Sequence, residues 1–165
     1  MLGFMSPRSY IVLGSVILLI SLSWFGWWAF GRSPADQIRD RQQAFLLALE
    51  ERDWDDVKAM LTDDYADDYG HDRDSAVQDA QQALGSFLSL TIKPEIVQLQ
   101  AVPGLAMVKM KIRVEGKGLG ISDMVVAQVN SIEEPWFFHW HKKGPWPWDW
   151  RIVQIHNDGL HVPQL

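Results

Sequence analysis

The apolar positions of this chain follow three successive patterns. They are continuous from Tyr10 to Phe30, recur at helical spacing from residue 34 to about residue 88, and alternate with polar residues over much of the remainder. The continuous run, YIVLGSVILLISLSWFGWWAF, lies between Arg8 and Arg32 with no charged side chain among them. At about 1.5 Å per residue such a run spans a hydrocarbon core of roughly 30 Å. Tyr10 would mark one membrane interface and Trp24, Trp27 and Trp28 the other, where indole rings prefer to sit. Residues 1–32 are therefore expected to be a short tail and transmembrane anchor, and residues 33–165 a separate domain. A cleaved signal peptide is the rival reading, because Ala29 and Gly31 are spaced like a cleavage site, but the apolar run is longer than a typical signal core.

The helical part opens with Ser33-Pro34-Ala35-Asp36, a capping residue, a proline suited to the first turn and an acid near the positive helix end. A helix is predicted from there to Glu51, with Ile38, Phe45, Leu46 and Leu49 on one stripe. Asp53 caps a second, shorter helix whose Trp54, Val57, Met60 and Leu61 face inward. A third is predicted from Asp74 to Leu88. Then the period changes. Ala106, Val108, Met110, Ile112 and Val114 alternate with Lys109, Lys111, Arg113 and Glu115, the pattern of an antiparallel strand wet on one side. Thr91–Ala101, weakened by Pro94, and Ile121–Ile132 are predicted as further strands. The stretch PWFFHWHKKGPWPWDWRIVQIHND closes the chain as a hairpin, with arms Trp136–Lys142 and Trp148–Ile155 around a Gly/Pro turn. Symmetric pairing would set Trp140 against Trp150 and Phe138 against Ile152 on an aromatic face, with His141 against Asp149 and His139 against Arg151 on the other. Gln154 and His156 share the aromatic side by parity.

Helices first and strands afterwards imply an α+β class, with about three helices packed on one face of a curved antiparallel sheet. Charge narrows the function. Of 15 basic and 21 acidic residues, only Arg8 and Arg32 precede residue 33, so the domain carries 13 against 21, a formal −8. No nucleic-acid partner is expected. The absence of cysteine excludes disulfides, thiolate catalysis and thiolate metal sites. The acids concentrate in TDDYADDYGHDRD, where Asp63, Asp64, Asp67, Asp68, His71, Asp72 and Asp74 could gather around a hard cation, but the spacing does not fit a calcium loop. A solvated loop with helix-capping acids is the simpler reading, and neither a metal nor a cofactor is expected.

QQAFLLALEERDWDDVKAMLTDDY, YGHDRDSAVQDAQQAL and the closing WRIVQIH resemble the nuclear-transport-factor-two-like superfamily, which includes SnoaL-like and ketosteroid-isomerase-like proteins. Gln154 stands where many relatives place a histidine directly after the valine. The resemblance implies a cone open between the helices and the concave sheet, where relatives bind or transform small hydrophobic molecules, and a convex sheet face that many of them use to form homodimers. Tyr65, Asp68, Tyr69, Trp140, Trp150, Gln154 and His156 are the pocket candidates; no catalytic residue is assigned. The expected function is a membrane-tethered, non-catalytic module that holds a protein partner or a small apolar ligand. The alternative is an isomerase, dehydratase or cyclase with a proton-transfer residue among Asp68, Tyr65, Tyr69 and His156. Arg8 and the basic residues Arg32, Arg39 and Arg41 leave the positive-inside rule divided. The layout is that of an uncleaved signal anchor, so a single-pass protein of a bacterial inner membrane is expected, its domain on the periplasmic or extracellular side.

Overall fold

The computed structural model describes residues 7–160, with side chains over 13–27 and 31–160. Two compact units are present, Met1–Ser33 and Pro34–Leu165. In the first, Pro7–Phe30 form one α-helix, α1. Among the described residues, no helix is long and apolar enough to cross a membrane. The expected anchor Tyr10–Phe30 begins and ends on residues, including Tyr10 and Trp28, whose side chains lie outside the described set.

The second unit runs α2 (Pro34–Glu51), α3 (Trp54–Met60), α4 (Arg73–Leu84), β1 (Phe87–Val102), β2 (Leu105–Gly118), α5 (Ser122–Ser131), β3 (Trp136–Lys142) and β4 (Trp150–Asn157). The four strands form one antiparallel sheet in chain order. The caps follow the local sequence. The Asp53 carboxylate accepts from the Asp56 N–H, and Asp72 with Ser75 makes a reciprocal capping box at the start of α4. Pro94 is tolerated because β1 is an edge strand, and Glu50 of α2 accepts the Ile92 N–H on that edge. The opposite edge, along β4, is covered as Thr62 and Ala66 donate to the carbonyls of Ile152 and Val153 at 2.9 and 3.2 Å.

Two expectations are corrected. The expected strand Ile121–Ile132 is instead the helix α5, whose Val125 and Val129 turn toward the interior while Ile121, at its start, stays exposed. β3 pairs only with the Leu105–Met110 half of β2. Beyond it Asn130 of α5 acts as a one-residue strand: its Oδ1 accepts the Val114 N–H at 2.8 Å and its Nδ2 donates to the Val114 carbonyl at 2.9 Å. The hairpin register also differs. Trp140 faces Ile152, His141 faces Arg151, and Trp150 faces Lys142. A bulge between His139 and Trp140 then sets His139 against Gln154, leaving Val153 as the extra residue. The bulge reverses the parity of β4. Ile155 turns inward, and Gln154 and His156 turn to the convex face with His139.

The core lies between α2–α3 and the concave face, where Trp140, Trp150, Ile152, Val108 and Met110 are almost fully buried. Two glutamines of α2 make that burial tolerable. Gln42 accepts the Trp140 Nε1–H and Gln37 accepts the Trp150 Nε1–H, both at 3.0 Å. Phe45 meets Phe138 and Trp140 edge-on, with centroids 6.1 and 6.5 Å away. We expect Trp150→Ala to lower stability by about 3–5 kcal/mol, and Gln42→Leu by about 1–3 kcal/mol, because it strands a buried indole N–H. Denaturant titration measures both, and a wild-type midpoint for Trp150→Ala would remove that residue from the core.

Candidate functional site

Between the helices and the far half of the sheet lies a cavity of about 410 Å³. Its walls are apolar: Leu49 from α2, Val77 and Ala80 from α4, Ile92 and Ile112 from the sheet, and Val129 from α5. The missing strand explains the space. Where a straight sheet would continue, α5 stands off β2 and supplies Val125 and Val129 as a wall. Half-buried lining residues, Tyr69, His71 and Ala80 among them, show that solvent reaches it from the α4 side.

Polar groups enter along one rim, from the loop between α3 and α4 and from Asp79 of α4. The Asp67 carboxylate organises that loop. Its Oδ1 accepts the backbone N–H groups of Tyr69 and His71, each at 2.9 Å. Its Oδ2 lies 3.0 Å from His71 Nδ1 and 3.5 Å from the Tyr65 hydroxyl. The other ring nitrogen, His71 Nε2, is 3.0 Å from Asp79 Oδ2 of α4. An imidazolium donates to both carboxylates at once, whereas a neutral ring satisfies one. The Asp67 side chain is 6% exposed and that of Asp79 57%, so the histidine joins a buried acid to a wet one. Tyr69 clamps the loop to the end of β4, its hydroxyl donating to the Asn157 carbonyl at 3.0 Å and accepting the Asn157 N–H at 2.8 Å. Burial, and then the Asp67 charge, hold the Tyr65 phenol well above its ordinary value. Tyr69 is raised as well, chiefly by burial. Both phenols remain neutral donors across the physiological range.

The expected pocket residues divide into groups. Tyr65 and Tyr69 line the cavity, without the helical geometry that would place them on one face. Trp140 and Trp150 fill the core beside α2 and line no part of it. Asp68 is exposed and accepts from Gln154 Nε2 at 2.8 Å, and His156 stacks on Phe137 at 4.6 Å on the convex face, so none of these three reaches the cavity. The parity argument for Gln154 and His156 failed at the bulge. The acids considered for a cation disperse: Asp63 pairs with Arg73, Asp64 with Lys143, Asp74 with Lys58, and Asp72 caps α4. Among the described residues no three His, Asp or Glu side chains converge as metal ligands. Sequence reasoning overlooked the Asp67–His71–Asp79 array and the α5 wall. Asp67 and His71 are four apart and visible as a pair, but Asp79 joins them only because α4 packs beside the loop.

No family model matches the sequence, and none of the curated proteins does. Solved structures do. An NTF2-like protein from Cytophaga hutchinsonii superposes with a TM-score of 0.57 at 13% identity, over 78% of this chain and 100% of that one. A candidate scytalone dehydratase from Novosphingobium aromaticivorans gives 0.55 at 12% identity, over 77% and 87%. An NTF2-like protein of unknown function from Pseudomonas putida gives 0.51 at 15%, over 74% and 84%. The second unit therefore has the NTF2-like fold, an α+β cone. At these identities the likeness establishes fold alone.

The convex face carries its own titrating group. Lys109 lies 5.0 Å over Phe137, which stacks on His156, and His139 stacks 5.4 Å from His156. Burial first, then the neighbouring His156 and His141, push the His139 pKa below its ordinary 6.5. The unfolded chain then binds a proton that the folded one resists. Stability is full above about pH 6.5 and falls as the pH drops toward the depressed value. Melting temperatures at about pH 7.5 and pH 5 are expected to differ less for His139→Gln than for the wild type, and an unchanged difference would refute this.

Proposed function

We propose that the cone domain binds a small, largely apolar molecule carrying one polar group, and that α1 tethers it to a membrane. The observation that carries the ligand reading is the 410 Å³ cavity, apolar on most of its wall and polar along the Asp67–His71 rim. A void of that size is in the range of small-molecule sites, and the rim would orient whatever enters. Support for the tether is the uncharged run from Ser9 to Gly31 and the helical backbone over Pro7–Phe30. The accompanying location is a bacterial inner membrane, with the domain outside the cytoplasm.

Filling the cavity tests the ligand reading directly. Ala80→Phe is expected to weaken binding of an environment-sensitive apolar dye at least tenfold while the melting temperature changes little, because Ala80 faces space rather than packed atoms. Equal dye binding by both proteins would sink the proposal.

A second reading, proton-transfer catalysis on the bound molecule, is favoured by one observation. The Asp79 carboxylate lines the cavity with one oxygen 3.0 Å from His71 Nε2, and its other oxygen can take a proton from a ligand while the imidazole holds it in place. One structure of the same fold is that of a candidate scytalone dehydratase. Solvent deuterium exchange into a bound ligand distinguishes the two. A catalyst should lose exchange by about 10²–10⁴-fold in His71→Gln with dye binding retained, and a pure binding module should show no exchange in either protein.

A further inference from the structure

The hydrogen-bonding groups around the cavity leave one kind of valence unfilled. Tyr65, Asp67, Tyr69, His71 and Asp79 supply the polar part of its lining, together with the indole of Trp136. Most of their capacity is spent within the domain. The Tyr65 hydroxyl donates to Asp67 Oδ2 at 3.5 Å, and the Tyr69 hydroxyl donates to the Asn157 carbonyl at 3.0 Å. Both ring nitrogens of His71 face carboxylates at 3.0 Å, Nδ1 toward Asp67 Oδ2 and Nε2 toward Asp79 Oδ2. Asp67 is filled as an acceptor as well, with two backbone N–H groups on its Oδ1. Oδ1 of Asp79 is left. Among the described residues it has no donor, and its side chain, 57% exposed, belongs to α4, the side from which solvent enters.

Charge points the same way. Among the described residues no lysine or arginine lines the cavity, so two carboxylates stand against at most one imidazolium. The basic side chains of α3 and α4, Lys58 and Arg73, pair with Asp74 and Asp63 instead. Asp68 and Asp158 add negative potential around the Tyr69 hydroxyl at the rim. The remaining donor in the lining, the Trp136 indole N–H, carries no charge. An anion entering this space would give up water for a wall that is either apolar or acidic, a costly exchange. A neutral ketone or ether would offer Asp79 no proton. A protonated amine supplies a charge-assisted hydrogen bond there, and the apolar wall takes up the rest of the molecule.

We infer that the ligand of this cavity is an apolar primary amine, bound as its ammonium through Asp79 Oδ1 with its hydrocarbon part between α4 and the sheet. The inference rests on the cavity being the ligand site proposed above, and adds the chemical class that the site selects. Asp67 and His71 are positioning residues in this arrangement. The buried Asp67 carboxylate orients the imidazole, and the imidazole holds one oxygen of Asp79, so the other is set toward the ligand before it arrives. Because Asp79 sits at the wet side of the cavity, the other N–H groups of the ammonium stay hydrated and the cost of taking the charge out of water stays small.

Competition against the apolar dye reads this preference in the full-length protein. Phenylbutylamine, phenylbutanol and phenylbutanoate share one hydrocarbon part and differ in the polar group. At about pH 7.5 the first is a cation and the last an anion. The wild type should release the dye to the amine at a concentration roughly tenfold lower than to the alcohol, the factor that one hydrogen bond to a charged group confers, and should respond least to the acid. Asp79→Asn should bind the dye as the wild type does and lose the preference. Asp79→Lys should reverse it in favour of phenylbutanoate. The side chain is more than half exposed, so both variants are expected to fold, and an unchanged dye affinity verifies it. Equal displacement by amine and alcohol in the wild type, or an amine preference kept in Asp79→Asn, overturns the amine assignment and leaves the cavity standing as a ligand site. Dye that fails to bind the wild type, or that binds Ala80→Phe equally well, overturns the cavity reading and this inference with it.

Discussion

Two indole N–H groups buried in an apolar core must find acceptors, and the rest of this domain is arranged around that requirement. Trp140 and Trp150 are 0% and 1% exposed, and neither has a strand partner able to accept from its ring. Gln42 and Gln37 reach down from α2 to do so, which makes a helix with buried glutamines a condition of the fold rather than an oddity. The same contacts decide where α2 crosses the sheet. Once α2 is held there, Phe45 and Leu46 cover the aromatic strands and Arg52 can close the helix end. Arg52 takes a left-handed conformation, φ 59°, and donates to the Phe87 carbonyl at 2.8 Å, tying the end of α2 to the start of β1.

Packing is tight on the side of the two tryptophans and loose on the other, and the difference is topological. Over Leu105–Met110, β2 has strand neighbours on both sides and a filled concave face. Farther along, α5 replaces β3, attached to β2 through the two hydrogen bonds of Asn130. A helix stands farther from a strand than another strand does, and the side chains of Val125 and Val129 do not fill the difference. The 410 Å³ void follows from that substitution. The domain therefore has a rigid half that holds the hairpin turn and an open half that can admit a ligand.

The two ends are also chemically distinct. Along the cavity rim, Asp67 spends both oxygens on its own loop, so the imidazole of His71 is oriented before any ligand arrives. At the opposite end of β4, the rings of Trp146 and Trp148 stack at the surface.

Much of this was legible in the chain because it is local. Helix caps at Asp53 and near Asp72, the alternation of β2, the aromatic hairpin and the helices-then-strands order each follow from neighbours within a few residues, and they suffice for an α+β cone. The uncharged run before Arg32 is equally local. What the sequence could not decide depends on a single inserted residue or on partners far along the chain. Val153, the extra residue of one bulge, turned His156 and Gln154 away from the interior, since side chains alternate with period two and one insertion reverses every later one. Ile121–Ile132 has apolar residues compatible with either period, and the free edge of β2 with the inward face of α5 settled it as a helix. Asp79 met His71 only through the packing of α4. Local chemistry thus determined the elements and the fold class, whereas register and long-range packing, which no short window encodes, decided which side chains face the cavity.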